Sequence, residues 1–330
     1  MKNNKDKIIT SNDKIKNPYI FFLMGPTCSG KTEIAMEISK HFPIEIINVD
    51  TAMIYKEMDI GTNKPNKNDQ RKIKHYLIDI IKPYEFYSMG NFLLDISNCI
   101  NKIIKKNKIP LLVGGSISYF NMIHKGLTSL PSKNFLIRNR LFKFFKTNNK
   151  SLFYDTFLSI GNMVSNKDTY FNKRRIERLM EIYFSTRKFF NKKYICINSD
   201  QLEQYSYNII PISIQPKNRF NLNKDIRCRF LEMLEKGFVK EVDSLVSKYK
   251  LHENTLSMQC IGYKQVYQYL KNNKCKNSYL NMIHDSITST RKLVKKQLTL
   301  MKKWNNLIKL DLEKKKKSDI LETLNKYIKK

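Results

Sequence analysis

The chain has 330 residues, and its 61 Lys and Arg against 29 Asp and Glu give a formal net charge of +32. With 41% hydrophobic residues and only 10 Gly and 9 Pro, it is neither wholly disordered nor collagen-like. No apolar run approaches the roughly 20 residues of a membrane span, and no signal-peptide stretch opens the chain, so we expect a cytoplasmic protein without membrane contact.

The excess of basic residues has two explanations. Most of these residues are Lys, and Lys, Asn and Ile are all encoded by A/T-rich codons, so codon bias alone can raise the charge. The alternative is a phosphate-rich partner, above all a nucleic acid, because clustered cations displace its counterions. Composition leaves both explanations open.

The first part of the chain alternates predicted strands and helices after a polar tail over residues 1–17. In chain order the elements are a strand at 19–24, a helix at 32–41, a strand at 44–49, a helix at 92–106 and a strand at 109–113. Such alternation is typical of a parallel α/β sheet.

The pattern changes after Pro131. Residues 132–190 read as helical, with basic and aromatic residues interleaved, and a strand-like run returns at 207–214. Helical stretches then occupy most of 221–304. We therefore predict a core formed by 18–130 and 201–312, a helical insertion over 131–200, and a Lys-rich tail over 313–330.

The strongest motif follows the first strand and opens the first helix. It fits G-x-x-x-x-G-K-S/T and consists of Gly25, Pro26, Thr27, Cys28, Ser29, Gly30, Lys31 and Thr32. This P-loop pattern surrounds a phosphate with backbone N–H groups, adds the charge of Lys31 and offers the Thr32 hydroxyl to Mg²⁺. It predicts a P-loop NTPase-like core but does not specify a triphosphate or a diphosphate.

A carboxylate and a glycine pair follow the next two core strands. Asp50 ends the second strand, so its side chain is expected at the carboxyl edge of the sheet, where it can bind Mg²⁺ or accept a proton. A structural, turn-capping role is the alternative. The strand at 109–113 ends in Gly114-Gly115, which supplies no Mg²⁺ ligand, so no clear Walker-B carboxylate is present.

Two basic clusters lie outside the P-loop. Arg174, Arg175 and Arg178 share a helical face, and arginine forks match phosphate bidentately. Arg291, Lys292, Lys295 and Lys296 form a similar stripe near the C-terminus. A solvated basic face is the alternative for both, and more so for the second.

Several stretches in fixed order resemble the tRNA dimethylallyltransferases, also called tRNA isopentenyltransferases. The matching stretches are 22–32, 49–65 with its D-I-G-T-x-K-P sequence, 75–79, 110–115 with Tyr119, 174–178, 260–265 with its I-G-Y-K sequence, and 290–299. The P-loop alone is shared with many nucleotide enzymes, whereas D-I-G-T-x-K-P combined with I-G-Y-K is much more specific.

The resemblance implies a P-loop-type core and a helical insertion that grips the anticodon stem-loop of tRNA. The family transfers a dimethylallyl group from dimethylallyl diphosphate to the N6 amine of the adenosine 3′ of the anticodon, tRNA position 37, giving N6-isopentenyladenosine. The P-loop would then hold a diphosphate leaving group instead of ATP. The cofactor implied is Mg²⁺, and the family usually acts as a monomer.

The resemblance also assigns roles to residues. Asp50 would accept the proton of the amine, and Lys31, Thr32 and Ser116 would complete the catalytic set, with Thr32 as the Mg²⁺ ligand and Asp50 as a second candidate ligand. The residues implied to contact tRNA are Asp50, Thr51, Ala52, Met53, Ser116, Arg138, Arg174, Arg175, Ile176, Glu177, Arg178, Gln259, Cys260, Ile261, Gly262, Tyr263 and Lys264.

The chain departs from the family pattern in several places. Thr51 and Ser116 replace Ser and Thr and keep the hydroxyl. Asn91 stands where the family has Asp, which puts a carboxylate role in question. Arg187 stands for the Gly of a Thr-Gly-Lys turn, which puts that turn in question, and Leu300 replaces an aromatic residue.

Two other functions fit parts of the sequence. A P-loop small-molecule kinase would use Arg174, Arg175 and Arg178 as a phosphate lid, but it would not need the Gly-Gly-Ser and I-G-Y-K stretches. A non-catalytic RNA-binding protein with a relic P-loop would not need Lys31 and Asp50 intact together.

Overall fold

The computed structural model describes residues 18–125, 131, 134–147, 155, 157, 173–188, 207–216, 218–272, 274–311 and 317–328. The chain divides into two compact units, unit 1 from the segments 1–124 and 204–330 and unit 2 from 125–203. The insertion predicted over 131–200 falls within unit 2. The tail predicted over 1–17 lies outside the described residues.

A parallel sheet forms the centre of unit 1, as the alternating pattern predicts. Its described strands are β1 (Tyr19–Met24), β2 (Ile44–Asn48), β3 (His75–Tyr76), β4 (Ile109–Gly114), β5 (Asn208–Gln215) and β6 (Ile308–Asp311). They lie in the order β3-β2-β4-β1-β5-β6, and every neighbouring pair is parallel. The middle strand β1 is almost wholly buried because helices cover both faces of the sheet.

Helices of unit 1 pack on the sheet and on one another. They are α1 (Lys31–His41), α2 (Lys67–Lys72), α3 (Met89–Ile104), α4 (Ile117–Lys125), α7 (Arg219–Glu235), α8 (Phe238–Tyr249), α9 (Tyr263–Lys271), α10 (Lys276–Met301) and α11 (Lys317–Ile328), while α5 (Phe135–Thr147) and α6 (Lys173–Thr186) belong to unit 2. Among the described residues, no helix is both long and apolar enough to cross a membrane.

The start of α3 explains one departure from the family pattern. The Asn91 backbone N–H donates to Ser88 Oγ at 3.1 Å, and Asn91 Oδ1 accepts from the Ser88 backbone N–H at 3.3 Å. This reciprocal pair is a capping box, in which an amide oxygen serves as well as a carboxylate. Asn91 therefore has a structural role that needs no negative charge.

Two parts of unit 1 differ from the sequence-based prediction. Strands β3 and β6 were not predicted, because two and four residues are too few to show a strand periodicity. The stretch over 313–330 was predicted as a Lys-rich, solvated helix or tail, and its described part is the helix α11, which buries Leu324 in the cluster that contains Ile34 of α1 and Leu310 of β6. The apolar spacing of Leu321, Leu324 and Tyr327 gives this helix one face that packs on the core.

Unit 2 is held together by a small apolar cluster and a buried carboxylate. Leu141, Phe157, Ile176 and Met180 form the cluster. Beside it Glu181, whose side chain is fully buried, accepts a hydrogen bond from Arg138 at 2.8 Å and forms an ion pair with Arg178 at 2.8 Å. Burial alone would raise the pKa of Glu181, but these bonds and the Asn134 backbone N–H outweigh burial and lower it.

Replacing Glu181 with Gln is expected to destabilise unit 2 by about 2–4 kcal/mol, because two guanidinium groups lose their shared counter-charge. Hydrogen exchange of the α5 and α6 amides measures this loss. In the wild type the carboxylate stabilises the unit above its unfolded pKa of about 4.3, and this contribution is lost as the pH falls through the lower folded value. Glu322→Gln, in an exposed pair 3.6 Å from Lys326, is the control, and equal protection in both variants would refute the structural role.

Candidate active site

Three loops meet at the carboxyl edge of the sheet. β1 leads into the P-loop, β2 leads into Asp50, and β4 ends in Gly114-Gly115. The strand order puts β4 between β2 and β1, so the three loops are neighbours. Ligands of open parallel sheets bind outside this edge.

The P-loop has the backbone shape that its glycines predict. Gly30 precedes α1 with φ of 75°, a left-handed conformation that favours glycine. A Cβ on Gly25 would lie 2.6 Å from Ser29 Oγ and 3.3 Å from Ile214 O, so the loop closes tightly on itself and on β5. The free N–H groups at the start of α1 then form a phosphate-binding turn.

Lys31 lies inside this turn. Its Nζ donates to Pro26 O at 2.6 Å and contacts Ser29 Oγ at 3.4 Å. Burial lowers the pKa of Lys31 to about 8, an effect opposed by the carboxylate of Asp50 and reinforced by the nearby charge of Arg229. A bound phosphate would restore the full positive charge.

Asp50 is held by its own turn and by the end of β2. Its Oδ1 accepts from the Ala52 backbone N–H at 2.9 Å, and buried Asn48 donates to the Asp50 carbonyl at 3.1 Å and to the Leu77 carbonyl at 3.0 Å. No described residue hydrogen-bonds the second carboxylate oxygen, Oδ2. That oxygen is available to a ligand, as the sequence-based prediction for Asp50 requires.

A small cavity of about 80 Å³ joins the P-loop to Asp50. Thr32, Lys31 and Asp50 line it, together with Met53 and Arg229. The hydroxyl of Thr32 and the carboxylate of Asp50 are hard oxygen donors, and Mg²⁺ binds through one or two such groups plus phosphate oxygens and water. The donor set therefore fits Mg²⁺ held together with a phosphate ligand.

Arg229 is a site residue that the sequence analysis missed. It lies on α7, and its NH1 contacts Cys28 Sγ of the P-loop at 3.8 Å. It lines the small cavity and also the larger one described next. A single arginine within a basic helix carries no sequence signal, and only the packing of α7 beside the P-loop identifies it.

A second, larger cavity of about 440 Å³ opens from the same place. Five residues line both cavities, namely Thr27, Asp50, Thr62, Gly115 and Arg229. Its apolar walls include Ile226, Phe230 and Met233 of α7, and Leu293 and Leu300 of α10. The cavity thus has room for an organic group next to a phosphate-binding turn, with Asp50 at their shared boundary.

Glu241 organises one wall of the larger cavity. Its carboxylate accepts from the backbone N–H groups of Asp59, Ile60 and Gly61 at 3.0, 2.7 and 3.3 Å, and from the Tyr263 hydroxyl at 2.6 Å. A Cβ on Gly61 would lie 2.1 Å from the Phe238 ring, so only glycine fits. The D-I-G-T-x-K-P and I-G-Y-K stretches are therefore joined by a residue that the sequence analysis did not single out.

The other wall depends on Gln297 of α10, which is buried and which the sequence analysis also missed. Its Nε2 donates to Gly115 O at 2.8 Å, and its Oε1 accepts from the Thr27 backbone N–H at 3.2 Å. A Cβ on Gly115 would lie 2.6 Å from Nε2. Gln297 thus links the P-loop to the glycine pair that follows β4.

Replacing Gln297 with Leu is expected to lower kcat/KM for the diphosphate substrate that the resemblance implies by about 10–100-fold, because two buried backbone groups lose their partners and the P-loop can shift. Steady-state kinetics with each substrate varied in turn measure the effect. Thr299→Val, on the exposed face of the same helix, should stay within about twofold. An unchanged kcat/KM in a folded Gln297→Leu variant would contradict the positioning role.

The larger cavity brings together many of the predicted tRNA-binding residues. Those that line it are Asp50, Thr51, Ala52, Ser116, Gln259, Cys260, Ile261, Gly262 and Tyr263. Met53 lines the small cavity instead, and Lys264 lines neither. The Tyr263 side chain is fully buried against Phe238 and Gly61, so its role in the wall is structural.

Unit 2 carries the remaining predicted tRNA contacts. Arg138 and Arg178 both pair with Glu181, so each guanidinium already has an internal role. The Ile176 side chain is 2% exposed and packs in the apolar cluster, so the prediction that it contacts tRNA does not fit its burial. The side chains of Arg174 and Arg175 lie outside the described residues, and Glu177 is half-buried on α6.

The fold and site define a P-loop α/β protein in which a cavity large enough for an organic group adjoins the phosphate-binding turn. A model of the IPP transferase family matches residues 53–304. The chain is 40% identical over 309 residues to a tRNA dimethylallyltransferase of Buchnera aphidicola subsp. Cinara cedri, covering 93% of this chain and 96% of that one. It is 37% identical to a tRNA dimethylallyltransferase of Legionella pneumophila strain Corby, covering 89% and 92%. The chain belongs to the IPP transferase family.

Solved structures agree with this assignment. A tRNA delta(2)-isopentenylpyrophosphate transferase from Staphylococcus epidermidis superposes with a TM-score of 0.65 at 28% identity, covering 95% of this chain and 99% of that one. A eukaryotic dimethylallyltransferase acting on tRNA superposes with a TM-score of 0.75 at 22% identity, covering 95% and 80%, and shows the shared fold.

Proposed function

We propose that this chain transfers a dimethylallyl group from dimethylallyl diphosphate to the N6 amine of the adenosine 3′ of the anticodon, at tRNA position 37. The observation that carries the proposal is the boundary between the two cavities. Asp50 lines both the small cavity beside the phosphate-binding turn and the 440 Å³ cavity that adjoins it. The curated relatives named above are tRNA dimethylallyltransferases, which favours prenyl transfer over a P-loop kinase.

The residues divide the reaction between them. The N–H groups of the P-loop, Lys31 and Arg229 bind the diphosphate and stabilise the charge that develops as it leaves. Asp50 Oδ2 accepts the proton that the amine loses when it attacks the dimethylallyl carbon. Mg²⁺, which the Thr32 hydroxyl would hold together with the diphosphate, would supply further neutralisation of the leaving group when bound.

The larger cavity supports the entry of a base. An adenosine inside an RNA loop must leave its stack before its amine can reach Asp50, which costs roughly a few kcal/mol. Thr51, Ser116 and Gln259 offer polar groups near the cavity lining, while the walls from α7 and α10 are apolar. We propose that these polar residues hold the flipped base. We also propose that the chain acts in the cytoplasm and as a monomer.

The release of diphosphate tests the proposed function. With Mg²⁺, diphosphate release is expected only when unmodified tRNA and dimethylallyl diphosphate are both present. The amount of diphosphate released should equal the amount of prenylated tRNA formed. Phosphate release from ATP, without any diphosphate release from the prenyl donor, would instead favour a kinase.

A further inference from the structure

Unit 2 contains a groove of about 400 Å³ that neither the P-loop nor the Asp50 site accounts for. It lies between α5 and α6 and is lined by Ile137, Arg140, Leu141, Phe144, Phe184 and Arg187. Two guanidinium groups and two aromatic rings thus border one apolar groove, and no carboxylate belongs to its lining. Its size is at the lower end of cavities that bind small organic ligands.

The arginines of the groove differ from the other arginines described in this unit. Arg138 and Arg178 are engaged by Glu181. Arg140 and Arg187 are exposed, and no carboxylate of the described residues forms an ion pair with either of them. The positive charge of the groove is therefore not neutralised by the described part of unit 2.

The backbone of Arg187 is strained. It follows α6 with φ of 58°, and its N–H donates to Tyr183 O at 2.6 Å, which closes the helix with a left-handed turn. This position at a helix end usually carries glycine, because a side chain there is unfavourable. The turn is thus kept although Arg187 replaces the Gly of the family's Thr-Gly-Lys sequence. The arginine side chain lies at the groove.

The aromatic rings supply the second half of a recognition site. The Phe144 and Phe184 side chains are 40% and 36% exposed, although large apolar side chains are normally buried. Nucleic-acid bases stack on such rings, and guanidinium groups bind phosphate. A carboxylate ligand would use the arginines but not the rings.

We propose that this groove binds one unstacked nucleotide of the RNA substrate, with its base against Phe144 and Phe184 and its phosphate bound by Arg187 and Arg140. The proposal rests on the proposed function, which makes tRNA the substrate. Arg187 is then a binding residue whose backbone strain is tolerated because it brings a guanidinium to the phosphate.

Arg187→Gly in the full-length chain tests the proposal, because it relieves the strain while it removes the charge. Binding of unmodified tRNA, measured by fluorescence anisotropy, is expected to weaken about tenfold. The slope of log K against log salt should become shallower by about 0.7 to 0.9, the value for one lost phosphate contact. The Tm should not decrease. Lys143→Ala removes one exposed charge from α5 outside the groove lining and should change binding less than about twofold.

Two further variants separate the parts of the site. Arg187→Lys keeps a charge and should retain most of the salt slope, whereas Phe184→Leu should weaken binding about fivefold or more without changing the slope. Equal binding by Arg187→Gly and Lys143→Ala would overturn the groove as a nucleotide site while the proposed function stands. Failure of the wild-type chain to bind tRNA would instead refute the proposed function.

Discussion

Replacing Asp50 with Asn is expected to slow prenyl transfer by about 10²–10⁴-fold, the range for loss of a general base. The adenine amine is a weak nucleophile, because its lone pair is delocalised into the ring, and its proton must leave as the new bond forms. Asparagine keeps the acceptor for the Ala52 N–H, so the turn after β2 should persist. Single-turnover rates with saturating tRNA and dimethylallyl diphosphate measure the chemical step.

The interpretation of the Asp50 variant depends on its binding. Affinity for tRNA should stay within about threefold of the wild type, since Asn fills the same volume. Asp243→Asn changes an exposed carboxylate on α8 and should leave the rate unaltered. A normal single-turnover rate in Asp50→Asn would exclude Asp50 as the base and return it to a turn-capping role.

Replacing Lys31 with Met is expected to reduce kcat/KM for dimethylallyl diphosphate by about 10²–10³-fold, because the leaving group loses a charge held inside the P-loop. Affinity for tRNA alone should not change. Lys40→Met removes an exposed lysine from the same helix α1 and is the control. Equal kcat/KM values for the Lys31→Met and wild-type chains would contradict the assigned phosphate contact.

The pH dependence of diphosphate binding provides a second test of Lys31. Because burial lowers its pKa to about 8, the free chain loses this charge as the pH rises above 8, and binding must then take up a proton. Inorganic diphosphate should therefore bind up to about tenfold more weakly per pH unit above 8 in the wild type, relative to Lys31→Met. The charged lysine also opposes folding at neutral pH, and this cost fades between pH 8 and about 10.4.

Local features of the site could be predicted from the sequence. The P-loop, Asp50 and Gly114-Gly115 each follow a strand directly, and parallel strands deliver their carboxyl ends to one edge. Their meeting place thus follows from the alternation of strands and helices. The strand order decides only which loops are neighbours.

Long-range partners could not be predicted in this way. Glu241 binds the amides of Asp59 to Gly61 from α8, and Gln297 joins the P-loop to Gly115 from α10. Each is one polar residue within an ordinary amphipathic helix, so nothing nearby in the sequence marks it. Their roles arise from packing, because the buried amide of Gln297 and the half-buried carboxylate of Glu241 must both satisfy their hydrogen bonds.

The basic residues show the limits of composition most clearly. The sequence offers Arg138 and Arg178 as phosphate ligands, whereas the fold pairs both with the buried Glu181. Arg187, read from the sequence only as a departure from a glycine, lies at an exposed groove with two aromatic rings. A net charge of +32 therefore contains both internal ion pairs and unpaired cations, which only the fold distinguishes.

The position of the new group on tRNA tests the central claim most directly. Unmodified tRNA is incubated with the chain, Mg²⁺ and isotope-labelled dimethylallyl diphosphate, then digested with nucleases and analysed by nucleoside and oligonucleotide mass spectrometry. The account predicts one labelled N6-isopentenyladenosine per tRNA, in the fragment that contains position 37, and none with Asp50→Asn at the same time point. Label on another nucleoside or no label with a folded, tRNA-binding chain would contradict it.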